Sequence, residues 1–213
     1  MLEKMDLFFE ARLDGYEDHM LTNIEGAREF YPFTAALLPA GHILDLGCGT
    51  GLELNWYFAR HPEAKITGID LSEGMLRELA QKFPEKDLTL IGGSYFDLPL
   101  GENRFDGAVS VESLHHFTKE EKIPLYRKLW AALKPGCSFI LTDYFAPDEA
   151  SEGDFRAELL RLKAEQGIAD SEFYHYDTPL TVNHEIEALT AAGFAKIEIL
   201  GQWGATCILR ADK

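Results

Sequence analysis

The chain has 213 residues, 46% of them hydrophobic, which suffices for one α/β domain with a substantial core and falls short of two. Its 20 Lys and Arg stand against 36 Asp and Glu, and the resulting net charge of -16 sets up a field that repels phosphate backbones and anionic lipid surfaces. Nucleic acid and membrane partners are therefore not expected. No apolar run approaches bilayer length, Met1 to Glu10 is too charged for a secretory leader, and Cys48, Cys137 and Cys207 form no C-x-x-C pair, so a reduced, cytoplasmic protein is expected.

Residues 1–40 are rich in aromatics: Phe8, Phe9, Tyr16, Phe30, Tyr31 and Phe33. Met5, Phe8, Phe9 and Leu13 fall near helical spacing and predict a helix over 5–13 stopped by Gly15. A second helix is expected from Thr22 or Asn23 to Phe30. Pro32 suits the first turn of a third, reaching Leu38.

The stretch from Ile43 to Leu54 reads as a strand that ends in an acid and runs into Gly47, Gly49 and Gly51. Glycines at alternate positions let the backbone turn tightly and leave bare peptide groups for a ligand. A helix over 52–60 should follow, its positive end favouring an anionic group. Lys65 to Asp70 is a second strand, closed by an acid suited to accepting two hydrogen bonds from ribose hydroxyls. The G-x-G-x-G spacing departs from the dinucleotide pattern G-x-G-x-x-G, which speaks against a nucleotide-dependent oxidoreductase.

Asp45-Leu46-Gly47-Cys48-Gly49-Thr50-Gly51 and Asp70 together resemble the first two motifs of the class I S-adenosylmethionine (SAM) dependent methyltransferases. The resemblance covers residues 41–145 well and the remainder in outline. It implies an α/β fold with a seven-stranded, mostly parallel sheet, the last strand antiparallel, helices on both faces and a helical N-terminal lid. It further implies SAM as cofactor and S-adenosylhomocysteine as product. Asp45, Gly47 and Gly49 would serve the methionine end and Asp70 the ribose, with Cys48, Gly51 and Leu71 also among the cofactor-binding residues. In such proteins the prefix closes the substrate pocket, which would place Tyr16 and Tyr31 there; packing of both rings on the sheet is the competing reading.

Beyond Asp70, Ser72 reads as the N-cap of a helix bearing Leu76 and Leu79. A third strand, Leu88 to Ile91, enters a segment that resembles the family's adenine-lining stretch. Ser94 stands where many relatives carry an acid, so Ser94 Oγ and the Tyr95 backbone N–H are expected to replace the carboxylate, with Tyr95 or Phe96 stacking on the base. A fourth strand, Gly107 to Val111, delivers Glu112, His115 and His116 beside the methionine half of the cofactor, with Glu112 expected as a backbone contact.

A helix over 119–133 follows, with Ile123, Leu125, Leu129, Trp130 and Leu133 as its apolar stripe. Its lysines are interrupted by Glu120 and Glu121 and read as a solvated face. A fifth strand, Ser138 to Thr142, leads into Asp143 and Tyr144. Residues 146–178 are long for a connection and suggest a lid or specificity insert, with a helix over 154–166 ended by Gly167 and an aromatic run from Glu172 to Asp177. A helix over 181–192 and strands over 196–200 and 206–211 complete a single domain spanning 1–213.

SAM carries an already activated methyl group, so positioning the acceptor and excluding water is the main task. For an alcohol, phenol or protonated amine a general base helps, and His115 and His116 are the candidates, with packing of both as the alternative. Neighbours leaving a strand point apart, so at most one is expected to face the substrate. Tyr144 and His175 are expected in the substrate pocket. The histidines show no ligand-type spacing, and no metal is expected. The function expected is methyl transfer from SAM to an O, N or C nucleophile on a small molecule. A non-catalytic SAM-binding scaffold is the alternative.

Overall fold

The computed structural model describes residues 1–169 and 172–213. The prefix holds α1 (Met5–Glu10), α2 (Tyr16–Asn23) and α3 (Ala27–Leu37). Then come β1 (His42–Leu46), α4 (Leu54–Arg60), β2 (Lys65–Asp70), α5 (Glu73–Lys82), β3 (Asp87–Gly92), β4 (Gly107–Val111), α6 (Lys119–Ala132) and β5 (Ser138–Tyr144). The chain closes with α7 (Glu149–Gln166), α8 (Val182–Ala192), β6 (Ala195–Trp203) and β7 (Thr206–Asp212).

The strands form one seven-stranded sheet in the order β3-β2-β1-β4-β5-β7-β6. β1 to β5 pair in parallel, and β7 runs antiparallel between β5 and β6. Alternate residues feed two cores. Ile43, Ile66, Val109, Ile140 and Ile208 pack with Phe30, Tyr57 and Leu79 of α3, α4 and α5. Leu44, Ile69, Phe139 and Leu209 pack with Leu125 and Leu129 of α6 and Leu189 of α8. A sheet covered on both faces needs such apolar strands, which is why they stand out in the sequence. The strand order reverses between β1 and β4, and ligands of open α/β sheets bind outside the carboxyl ends at such a switch point.

The prefix departs from expectation. Instead of a helix over 22–30, α2 begins at Tyr16 directly after Gly15 (φ 80°), and α3 begins after Gly26 (φ 77°). Gly26 is fixed by more than φ, because a Cβ there would lie 2.4 Å from Trp203 Cβ. α3 runs through Pro32, whose locked φ is helical but which removes one backbone bond. Burial of Phe30, Tyr31 and Ala35 against the sheet holds the helix together at that point.

The insert departs as well. α7 starts at Glu149 rather than Asp154, because Asp148 caps it by accepting from the Ser151 N–H at 2.7 Å. Leu160 is exposed, while Lys163 is buried and donates to the Glu172 carbonyl. Residues 170 and 171 of the insert lie outside the described residues. In α6 the expected apolar stripe loses Trp130, which is partly exposed with the Lys213 ammonium 4.3 Å over its ring.

Candidate active site

The glycine loop leaves β1 with Gly47 at φ 71° and Gly49 at φ 49°. At Gly47 a Cβ would lie 1.9 Å from Ser113 Oγ, so close packing as well as conformation demands glycine. At Gly49 the same atom would meet nothing nearer than the Tyr16 hydroxyl, 4.0 Å away, so this glycine faces open space. The loop is tied to β2 by Gly47 N–H to Ile69 O at 2.8 Å. Asp70 adds a second tie, Oδ2 accepting from Gly49 N–H at 2.9 Å and Oδ1 from Ser72 N–H at 2.8 Å. Burial raises the Asp70 pKa, and these backbone donors oppose the shift.

Gly47, Gly49, Asp70, Leu71, Met75 and Tyr95 line a narrow cleft of about 50 Å3 under Met5 and Phe9. The helix expected over 52–60 begins only at Leu54, preceded by Glu53 in αR conformation and buried. Asp45 is not on the cleft wall. It is 1% exposed and faces Glu53, and burial together with Glu53 pushes its pKa well up. Asp45 Oδ2 and Glu53 Oε1 are buried acceptors without a donor, so the two carboxyls must share a proton or meet an ammonium group.

Cys48 points its sulfur at β2, where a Cβ on Gly68 would lie 2.7 Å from Sγ, so its side chain packs instead of facing the cleft. Ser94 Oγ is occupied in a turn, accepting from Phe96 N–H at 3.2 Å. Tyr95 enters the cleft wall with its ring, and its hydroxyl donates to Ser113 O at 3.3 Å. At this end the cleft is walled by the Tyr95 ring, and Ser94 is turned to the backbone.

A second cavity of about 690 Å3 adjoins the cleft. Phe9, Tyr16, Glu112 and His116 border both spaces. Its floor is a chain of ionisable groups. Asp143, buried at the end of β5, accepts from Leu114 N–H at 2.9 Å and from His115 Nδ1 at 2.6 Å. His115 Nε2 lies 3.5 Å from Asp177 Oδ1. Burial disfavours charge on His115, but Asp143 and Asp177 outweigh it and lift its pKa to about 10. His116 behaves oppositely, with burial and the neighbouring His115 charge depressing its pKa well below the usual value. Its Nδ1–H donates to the Tyr176 carbonyl at 3.2 Å.

Glu112, one of the four residues that border both cleft and cavity, has φ 50°, a left-handed conformation that costs a non-glycine residue about 1–3 kcal/mol. Its N–H donates to Thr142 O at 2.8 Å, and its Oε1 accepts from the Thr206 hydroxyl at 3.0 Å. Burial and then Asp143 raise its pKa to about 7, against the pull of His115 and Thr206.

Tyr16, Tyr144 and His175 line the cavity, His175 stacked on Phe8 with ring centroids 3.5 Å apart. Tyr31 does not; it is 2% exposed and packs on Phe30 in the core beneath α3. Both His115 and His116 border the cavity, where the alternation argument expected one, because the chain leaves β4 as a turn. Sequence spacing showed no metal-ligand pattern, yet folding gathers His115, His116 and Asp177, with both ring nitrogens of His115 engaged by Asp143 and Asp177 and Nδ1 of His116 by Tyr176 and Asp177. Asp177 belongs to the aromatic run 172–177 expected at the pocket, though nothing marked it as the partner of the histidines, and Thr206 was not expected in the site, since nothing local to it marks it.

Among the described residues no helix is long and apolar enough to cross a membrane. Residues 43–136 match the family model of the methyltransferase domain. A demethylmenaquinone methyltransferase of Symbiobacterium thermophilum is 36% identical over 115 residues, 51% of this chain and 45% of that protein. A 24-methylenesterol C-methyltransferase of Arabidopsis thaliana is 29% identical over 150 residues, 68% of this chain and 40% of the relative. The chain thus spans less than half the length of these curated relatives. Among solved structures, a SAM-dependent methyltransferase from Mesorhizobium loti superposes with a TM-score of 0.61 at 23% identity, covering 85% of this chain and 96% of that one.

Proposed function

From the match of residues 43–136 to the methyltransferase domain we propose that the chain is a class I, SAM-dependent methyltransferase that moves a methyl group from SAM to a small-molecule nucleophile. One observation carries this reading: the cleft beside Gly49 and Asp70 shares the wall formed by Phe9, Tyr16, Glu112 and His116 with a cavity of about 690 Å3. A donor in the first and an acceptor in the second would meet at that shared wall, and the cavity lies within the range of small-molecule sites.

The bound cofactor supplies an electrophilic methyl group, and the chain supplies placement. Asp70 and Leu71 would hold the ribose, the backbone at Gly47 and Gly49 the amino-acid end, and the Tyr95 ring the adenine. Asp143 fixes the orientation of His115 and keeps it protonated, so at neutral pH His115 is a hydrogen-bond donor and not a proton acceptor. Phe8, Phe9 and Tyr16 line the site and would shield the line of transfer from water. The three cysteines are unpaired, which suits a reducing cytoplasm.

Calorimetry with S-adenosylhomocysteine and NAD, followed by an acceptor screen with methyl-labelled SAM, tests the reading. Saturable binding of the thioether, none of NAD, and label in a small molecule are expected. Binding without transfer to any acceptor would leave a scaffold, and binding of NAD alone would remove the reading altogether.

A further inference from the structure

The cavity's charges name the kind of acceptor, on the reading that this is a methyl-transfer site. Among the described lining residues the one Lys or Arg is Arg12, and it is already committed. Its two terminal nitrogens reach Glu3 at 3.1 and 3.2 Å, and its guanidinium lies 3.7 Å over the Phe8 ring. The His115 cation is likewise spoken for, held between Asp143 at 2.6 Å and Asp177 at 3.5 Å. Glu112 is left with a hydroxyl, Thr206, as its hydrogen-bond donor. Among the described lining residues no uncommitted Lys or Arg therefore awaits an anionic acceptor, and the Glu112 carboxylate stands in the wall that the two spaces share.

Phe9, Tyr16 and Tyr144 line the same space, and aromatic faces attract cations. The net charge of -16 adds a long-range field of the same sign. The left-handed backbone of Glu112 matters as well, because a strained conformation at a joint between two binding spaces is what aims this side chain.

We propose that the acceptor is a protonated amine carried on an aromatic or apolar body, and that Glu112 binds its ammonium group and takes the proton it must lose before attack. The amine N–H bond breaks and the proton passes to a Glu112 carboxylate oxygen. The freed nitrogen lone pair forms the N–C bond to the methyl group, and the C–S bond breaks with its electron pair retained by sulfur. The methylated amine departs as its own ammonium ion, and Glu112 returns its proton to water. Thr206 is a positioning residue, since it acts through Glu112. The groups facing Glu112 are His115 from the β4 exit, Asp143 from β5, Asp177 from the insert, Tyr16 from α2 and Tyr31 from α3.

Three probes with one body and different heads decide the matter: 2-phenylethylamine, 2-phenylethanol and phenylacetate, titrated into protein saturated with S-adenosylhomocysteine. The amine should bind at least tenfold more tightly than the alcohol, with the carboxylate weakest, and should become methylated when SAM is supplied. In Glu112→Gln the amine-to-alcohol ratio should collapse toward one, and the rate should lose its acid limb. Thr206→Val should lower the ratio partway, which keeps the test alive if the first variant folds poorly. Equal or tighter binding of the alcohol or carboxylate, or an unchanged ratio in both variants, overturns the proposal. Failure to bind S-adenosylhomocysteine at all would bring down the methyl-transfer reading with it, whereas cofactor binding without amine preference removes this inference alone.

Discussion

Asp70 does two jobs with one carboxylate. It closes β2 on the cleft, and it clamps the glycine loop through Gly49 N–H while capping the next turn through Ser72 N–H. Asp70→Ala should therefore weaken S-adenosylhomocysteine binding by about 1–3 kcal/mol, through lost charge-assisted hydrogen bonds. Calorimetry checks this, and an unchanged affinity would end the ribose assignment. Asp45 presents the opposite case. Its folded pKa lies above its unfolded value, so the folded protein binds more protons as pH rises past about 4, and stability falls toward neutrality. Glu53 and Asp70 shift in the same direction and steepen the fall. Asp45→Asn should raise the melting temperature of the ligand-free protein at pH 8 and flatten its decline between pH 5 and 8. A variant less stable than the parent at pH 8 would mean that the charged carboxylate is satisfied in the folded protein.

At the scale of elements, α6 and α8 are joined by more than apolar contact. Lys122 and Glu185, 1% and 0% exposed at their side chains, form an ion pair at 2.5 Å, and the Tyr126 hydroxyl donates to the same carboxylate. Removing one member strands a buried charge, so Glu185→Ala should cost about 3–5 kcal/mol in urea denaturation. The double variant Lys122→Met, Glu185→Leu should recover most of that loss, because two apolar side chains strand nothing. The strands and their order of appearance were legible in the sequence, since β1, β2, β4 and β5 are apolar runs ended by acids or glycines. α8 was equally legible between Thr181 and Gly193. α2 was not, because Met20 is its one fully buried residue and little periodicity marks it. It is held by tertiary contacts instead, with Glu17 bonded to Thr50 Oγ1 at 2.7 Å and to Lys82 at 2.6 Å. The same reason hid part of the site. Glu112 and the histidines follow a recognisable strand, whereas their partners Asp143, Asp177 and Thr206 come from other elements that meet them only in the folded sheet.

For the molecule as a whole, segments distant in sequence form one cover. The N-terminal strap is bonded to the insert by Met5 N–H to Phe173 O at 3.4 Å and His175 N–H to Glu3 O at 3.0 Å, with a bridge between Lys4 and Tyr174. Its other side is latched to α5, where Glu10 accepts from Gly74 N–H at 2.9 Å, Ser72 Oγ at 3.1 Å and Arg77 at 2.8 Å. The cleft beneath holds only about 50 Å3, well below the several hundred that small-molecule sites provide, so the cover has to move outward for a cofactor to enter. Because the strap and the segment 172–177 share backbone bonds, they should open together. Amide hydrogen exchange reports such openings over minutes to hours. Addition of S-adenosylhomocysteine should slow exchange in 3–20 and 172–178 by a common factor while leaving β1, β4 and β5 unchanged. Glu10→Ala, which frees the latch on α5, should speed release of the thioether about two- to fivefold, as befits an exposed ion pair. Protection confined to one of the two segments would show that they move independently and that the cover is not a single body.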